Sequence, residues 1–112
     1  MNEEIRGFKD ERRLFQRIKV NLPARITDLV SDKLIKVKAC DVSAQGVGIS
    51  TQERLDRNVT VKVSLSIPAR KRNPLVTYGK VAWIKPESRW GFRAGISFDR
   101  PEFIRLSPLL RF

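Results

Sequence analysis

Ile18, Val20, Leu22, Ala24 and Ile26 share one parity of the chain, and Arg17, Lys19, Asn21 and Arg25 share the other. A period of two predicts a strand with one buried face. Pro23 cannot donate to a ladder, so within this run it points to an edge position or a bulge. The polar stretch 28–33 reads as a turn. Ile35, Val37 and Ala39 resume the alternation, but Cys40 and Val42 fall on the opposite parity. That switch predicts a bulge or a crossing next to Cys40.

Beyond it the pattern continues through a short strand, Val47-Gly48-Ile49, and a polar stretch with one helical turn around Glu53-Arg54-Leu55. Val59, Val61, Val63, Leu65 and Ile67 then alternate cleanly with Thr60, Lys62, Ser64 and Ser66, and Pro68 ends the run. A basic turn, Ala69-Arg70-Lys71-Arg72-Asn73-Pro74, leads into a long strand over 75–85 with Gly79 as its bend. The last strand places Trp90, Phe92, Ala94, Ile96 and Phe98 on one face and Arg93 on the other. Six strands joined by short connections predict an all-β fold, a closed six-stranded antiparallel barrel. After Asp99 the period changes: Asp99, Pro101 and Glu102 suit a helix start, with Phe103, Leu106 and Leu110 as an apolar stripe and Pro108 as a break. The expected organisation is a flexible N-terminal segment over 1–10 and one domain over 11–112, with its short C-terminal helix from about residue 100.

Composition narrows the partner. The 112 residues include 23 Lys and Arg against 12 Asp and Glu, a formal charge of +11, which favours an anion: nucleic acid, an acidic membrane surface or a phosphorylated small molecule. Histidine is absent, which removes the commonest general base and metal ligand. The single Cys40 can form neither an internal disulfide nor a thiolate cage, and its apolar neighbours suggest a buried small residue. No catalytic constellation, cofactor or metal is therefore expected. The charged N-terminus and the lack of any long apolar run predict a cytoplasmic protein without membrane insertion.

Two clusters carry candidate chemistry. Arg12-Arg13-Leu14-Phe15-Gln16-Arg17 supplies guanidinium forks, which match phosphate oxygens and the acceptor edge of guanine. Asp41-Val42-Ser43-Ala44-Gln45-Gly46 supplies a carboxylate and a hydroxyl, which can accept from guanine's ring N–H and amino group. Each has a plainer alternative. The arginines can be a solvated entry to a strand, and the second cluster a turn in which Asp and Ser bond nearby backbone and Gly takes a positive φ. An acidic residue would weaken a site meant only for phosphate, yet it suits a site that must also hold a guanine. Trp83 and Trp90 sit in apolar alternations that favour core packing, although the parity near Gly79 leaves Trp83 open as a stacking surface. Gln45, Arg89 and Arg93 are further candidate contacts, or simply polar surface.

Taken together, Arg-Arg-x-x-x-Arg and Asp-x-Ser-x-x-Gly, followed by Gly-x-Val-x-Trp at 79–83 and Ala-Gly-Ile-Ser-Phe at 94–98, resemble the bacterial PilZ domain. The resemblance spans roughly residues 10 to 110. It implies a six-stranded barrel with a C-terminal helix that binds cyclic di-GMP. It also implies that Arg13 and Arg17 contact phosphates and guanine edges, Asp41 and Ser43 hold a guanine, and Gly46 permits close backbone approach. Arg12, just before the paired arginines, implies an intercalated ligand dimer. The expected function is a non-enzymatic receptor whose N-terminal arginine segment orders over the ligand and presents a surface to a downstream protein, as monomer or homodimer. The rivals are a basic barrel for single-stranded nucleic acid and a ligand-independent interaction module working through the C-terminal stripe. Asp41 and the lack of an interleaved aromatic and basic stripe weigh against nucleic acid.

Overall fold

The structure, a computed structural model, describes residues 16–68, 73–89, 91–102, 105, 106 and 109. Its strands are β1 (Ile18–Asp28), β2 (Leu34–Ser43), β3 (Gly46–Thr51), β4 (Thr60–Leu65), β5 (Leu75–Ser88) and β6 (Gly91–Phe98). They close into an antiparallel barrel in the order β1-β2-β3-β6-β5-β4. Closure gives every strand two partner strands, although residues 18–23 of β1 and 81–88 of β5 run past the β4 ladder and pair with a strand on one side only. The expected all-β barrel is the observed one.

The alternation seen in the sequence becomes the barrel wall. Leu22, Ala24 and Ile26 of β1, Val61, Val63 and Leu65 of β4, and Leu75 and Val81 of β5 point inward and are buried. Val42, Val47, Ile49, Ala94 and Ile96 complete the interior from the other wall. Both ends are closed by apolar side chains. Leu55 fills the end beneath the β1–β2 turn, where it lies with Ile26, Ile35, Val61 and Val81. At the opposite end the Glu102 N–H donates to the Ala44 carbonyl at 2.8 Å, and Leu106 is fully buried.

Pro23 sits where the sequence allowed it, laddered on its β2 side only, opposite Lys38. It precedes the β1–β4 ladder, which begins at Ala24↔Leu65, and the β1–β2 register is irregular just before it, between Lys19 and Leu22, so the missing N–H costs no ladder bond to β4. Several expectations change. The stretch around Glu53 is not a helical turn: the Thr51 hydroxyl bonds both the N–H and the carbonyl of Glu53, a local side-chain closure that replaces the helical bond. Gly79 is not a bend, since it pairs in register with both Val61 and Phe98. Cys40 is half-buried rather than core, because it is the bulge residue itself. None of the described glycines has a positive φ, so Gly46 serves close strand approach: a Cβ there would strike the Ile96 carbonyl. In the tail, Arg105, Leu106 and Leu109 are helical, and Leu109 packs against the core. The Glu102 carboxylate turns to Thr77 and Arg105. Phe103, Leu110 and Trp90 lie outside the described residues.

Candidate functional site

Two register shifts, on strands separated by β3 and β6, act on one transverse row of the barrel. Between Ala39↔Ile49 and Asp41↔Gly48 the chain advances two residues on β2 for one on β3, leaving Cys40 unpaired. Without that bulge Asp41 would take an inward position; with it, Asp41 faces outward and Val42 returns to the core. The same offset recurs between Val81↔Ile96 and Trp83↔Gly95, where Ala82 is the extra residue. It turns Trp83 outward, with 40% of its surface exposed.

Gly48 and Gly95 are register partners, so the row reads Asp41–Gly48–Gly95–Trp83 across four strands. The two glycines carry no side chains of their own, and the flanking side chains lie over them as a buried floor. The Asp41 carboxylate lies across Gly48, where a Cβ would stand 2.5 Å from Oδ2. The Trp83 indole lies across Gly95, where a Cβ would collide with Nε1 and Cε2. The Lys85 ammonium stands 5.5 Å from the indole centroid, a cation–π contact. The outcome is a shallow trough with a carboxylate at one end and an aromatic ring at the other. A groove of about 380 Å³ lined by Trp83, Lys85, Pro86, Glu87 and Arg93 continues it. A larger cavity of about 680 Å³ lies by β1 and β4 around Pro23, Ser66 and Ile67, but its described lining holds no carboxylate and no aromatic ring.

Charge is organised around Asp41. Arg17 Nε donates to Oδ1 at 2.7 Å, and Arg93 Nη2 stands 3.5 Å from Oδ2. Arg93 Nη1 in turn donates to Glu87 Oε2 at 3.1 Å, while the Ser50 hydroxyl donates to Glu87 Oε1 at 3.0 Å. The hydrogen bond that Arg93 donates to Glu87, outweighing the cost of partial burial, raises the Arg93 pKa above its ordinary value, so this cation is permanent. Arg93 Nε is buried without a hydrogen-bond partner. The Arg17 and Asp41 side chains are 48% and 22% exposed, so this pair contributes only ~0–1 kcal/mol to folding. Its arginine can be drawn away by a better anion at little cost to the fold.

The remaining predicted residues divide. Ser43 is buried at the β2–β3 turn, where its hydroxyl accepts from the Gln45 N–H at 3.2 Å. Gln45 is exposed, and its carbonyl accepts from the Phe98 N–H. Gly46 pairs with both Ser43 and Ser97. Arg89 is exposed at the β5–β6 turn, and no bond joins it to Asp41. Arg12 and Arg13 lie outside the described residues. Sequence inspection missed Gly48, Gly95 and Glu87. The signal for the glycines was present in Gly46-x-Gly48 and Ala94-Gly95, but only the register shows that they adjoin. Glu87 gave none, because its place depends on another bulge.

A carboxylate flanked by guanidinium groups, beside a flat floor and an exposed ring, can accept from a planar heterocycle while the arginines meet its phosphates. Residues 11–112 match the PilZ domain family. No curated protein sequence matches the chain. Among solved structures it resembles the Bacillus subtilis inhibitor of motility MotI/DgrA, at 13% identity and a TM-score of 0.71 over 87% of this chain and 47% of that one. The PilZ domain of Escherichia coli YcgR with c-di-GMP aligns at 14% identity and a TM-score of 0.61, over 88% of this chain and 82% of that one. Borreliella burgdorferi PlzA in complex with c-di-GMP aligns at 15% identity and a TM-score of 0.62, over 98% of this chain and 44% of that one. The chain thus spans less than half the length of the motility inhibitor and of PlzA.

Proposed function

The chain belongs to the PilZ domain family, and from that premise we propose that it is a non-enzymatic receptor for cyclic di-GMP. The observation that carries this reading is the outward Asp41 carboxylate, set by the Cys40 bulge and held between Arg17 and Arg93 beside the glycine floor. Two of the similar structures, the YcgR domain and PlzA, hold this dinucleotide.

In the proposed complex a guanine docks against the outer face of this row, between the Asp41 carboxylate and the Trp83 indole, and donates its N–H groups to Asp41. Arg17 leaves Asp41 to meet phosphate and the guanine edge, and Arg13 joins it. Trp83 supplies a stacking face. Ser43 and Gly46 act through the turn they build, which fixes the backbone beside Asp41. Arg12 adds the charge that suits two intercalated ligands. Closure of the arginine segment over the ligand makes the surface a downstream protein reads. Arg17 reaches Asp41 through Nε alone, so a phosphodiester that it can meet with two parallel N–H groups is the better partner, while Asp41 gains donors from the base.

Calorimetric titration with cyclic di-GMP tests the reading. Arg13→Ala and Arg17→Ala should each abolish measurable binding with the far-UV dichroism unchanged, and retained affinity in both would refute it. A stoichiometry of two ligands per chain is expected; one per chain would remove the intercalated dimer alone.

A further inference from the structure

Glu87 is the second carboxylate of the site. Pro86 pairs with Phe92 and Ser88 with Gly91, so Glu87 is the extra residue of a further bulge on β5. Bulges beside sites commonly re-aim one side chain. Here the bulge brings Glu87 to Arg93 on β6 and Ser50 on β3, the two strands that carry the glycine floor. Both oxygens are used: Oε1 accepts from the Ser50 hydroxyl and Oε2 from Arg93 Nη1.

The shorter of the two Arg93 ion pairs is the one to Glu87, at 3.1 Å against 3.5 Å to Asp41. Glu87 is also the more exposed carboxylate, at 39% against 22% for Asp41. On release it would be rehydrated readily, whereas Asp41 stays against its glycine. The cluster Arg17, Arg93, Asp41 and Glu87 carries two positive and two negative charges. Within that cluster the arginines are fully matched by carboxylates, so an arriving phosphate must displace one of them, and Lys85 on the same groove is left as a cation outside the cluster.

We infer that Glu87 is a built-in competitor for the ligand's anionic groups, occupying the Arg93 guanidinium in the free protein and so setting the ligand concentration at which the site fills. Glu87 acts through Arg93 and touches no ligand, which makes it a positioning residue. Ser50 holds it in place. The inference rests on the cyclic di-GMP reading and assigns that site its affinity control.

Calorimetry with cyclic di-GMP on wild type, Glu87→Gln, Glu87→Ala, Arg93→Ala and the double variant Glu87→Gln/Arg93→Ala tests it. Both Glu87 variants should bind about three- to tenfold more tightly than wild type. Affinity should also fall more steeply with salt in the Glu87 variants, because the freed guanidinium adds a cation to the contact. In the Arg93→Ala background the gain should vanish. If Glu87 merely braces Arg93, its removal weakens binding instead, and equal or weaker binding in both single variants overturns the inference while leaving the receptor reading intact. A gain that survives Arg93→Ala also overturns it. Wild-type protein that binds no cyclic di-GMP refutes the receptor reading and this inference together.

Discussion

The two walls of the barrel are built to different rules. Along β4, pairing to β1 and to β5 runs without a shift, from Ala24↔Leu65 to Asp28↔Val61 and from Thr60↔Lys80 to Leu65↔Leu75. Along β2–β3 and β5–β6 the register slips at Cys40, Ala82 and Glu87. The regular wall sends every second side chain inward and is a stability device. In the bulged wall each slip gives up one paired position and turns a functional side chain outward: Asp41, Trp83 and Glu87. The bulged strands carry core as well, with Val42, Val47, Ile49, Val81, Ala94 and Ile96 buried, but each slip places its functional side chain on the outer face, where it can be perturbed with little effect on the interior.

The largest expected effect on the regular wall comes from Leu65→Ala. Leu65 is fully buried, and its truncation should cost about 2–5 kcal/mol in urea unfolding, with the affinity of the folded fraction unchanged. On the bulged wall Asp41→Ala should reverse that pattern. Stability should move by less than about 1 kcal/mol, because the side chain is partly exposed and its ion pairs are weak. Cyclic di-GMP affinity should fall about 100-fold or more, which corresponds to about 2.8 kcal/mol at about 1.4 kcal/mol per tenfold. A large loss of stability in Asp41→Ala would erase the contrast.

Gly95→Ala sharpens it further. The added methyl collides with the indole and not with backbone, so the ring should swing away from the floor. Fluorescence emission should shift to the red and acrylamide quenching should increase, with stability within about 1 kcal/mol of wild type. The smallest effect concerns the C-terminal closure. The hydrogen bond from Arg105, and next that from Thr77, hold the Glu102 pKa below its ordinary value of 4.5 against the opposing effect of burial. A depressed pKa means that the unfolded chain binds the proton first as pH falls. The contribution is therefore fully present above the ordinary glutamate range and is lost as pH drops through the lower folded value. Thermal melts of Glu102→Gln should lack this part of the acid-side decline, a difference below about 1 kcal/mol.

How much was legible in the sequence follows the same division. The alternation of β4, and of β1 from Leu22 onward, names their buried residues directly, because no register shift interrupts the period there. Cys40 was legible too, since Ala39 and Val42 cannot both face inward without an extra residue between them. Ala82 and Glu87 were not: the exposed positions of β5 tolerate either parity, so the sequence around Gly79 suggested a bend where the structure has regular pairing. The glycine floor was invisible for a related reason. Gly48 and Gly95 lie far apart in the chain, and only the β3–β6 register joins them. Arg17 and Asp41 were read as one site from their motifs, and their 2.7 Å contact brings the two together.

The central claim is that the bulged wall, and not the regular one, receives the ligand. Chemical-shift mapping of the 15N-labelled protein during titration with cyclic di-GMP tests it most directly. The account predicts saturable shifts at the amides of Asp41, Gly48 and Gly95 and at the Trp83 indole N–H, with Val61, Val63 and Leu65 unmoved. Shifts centred on β4, or a spectrum that does not change, would contradict it.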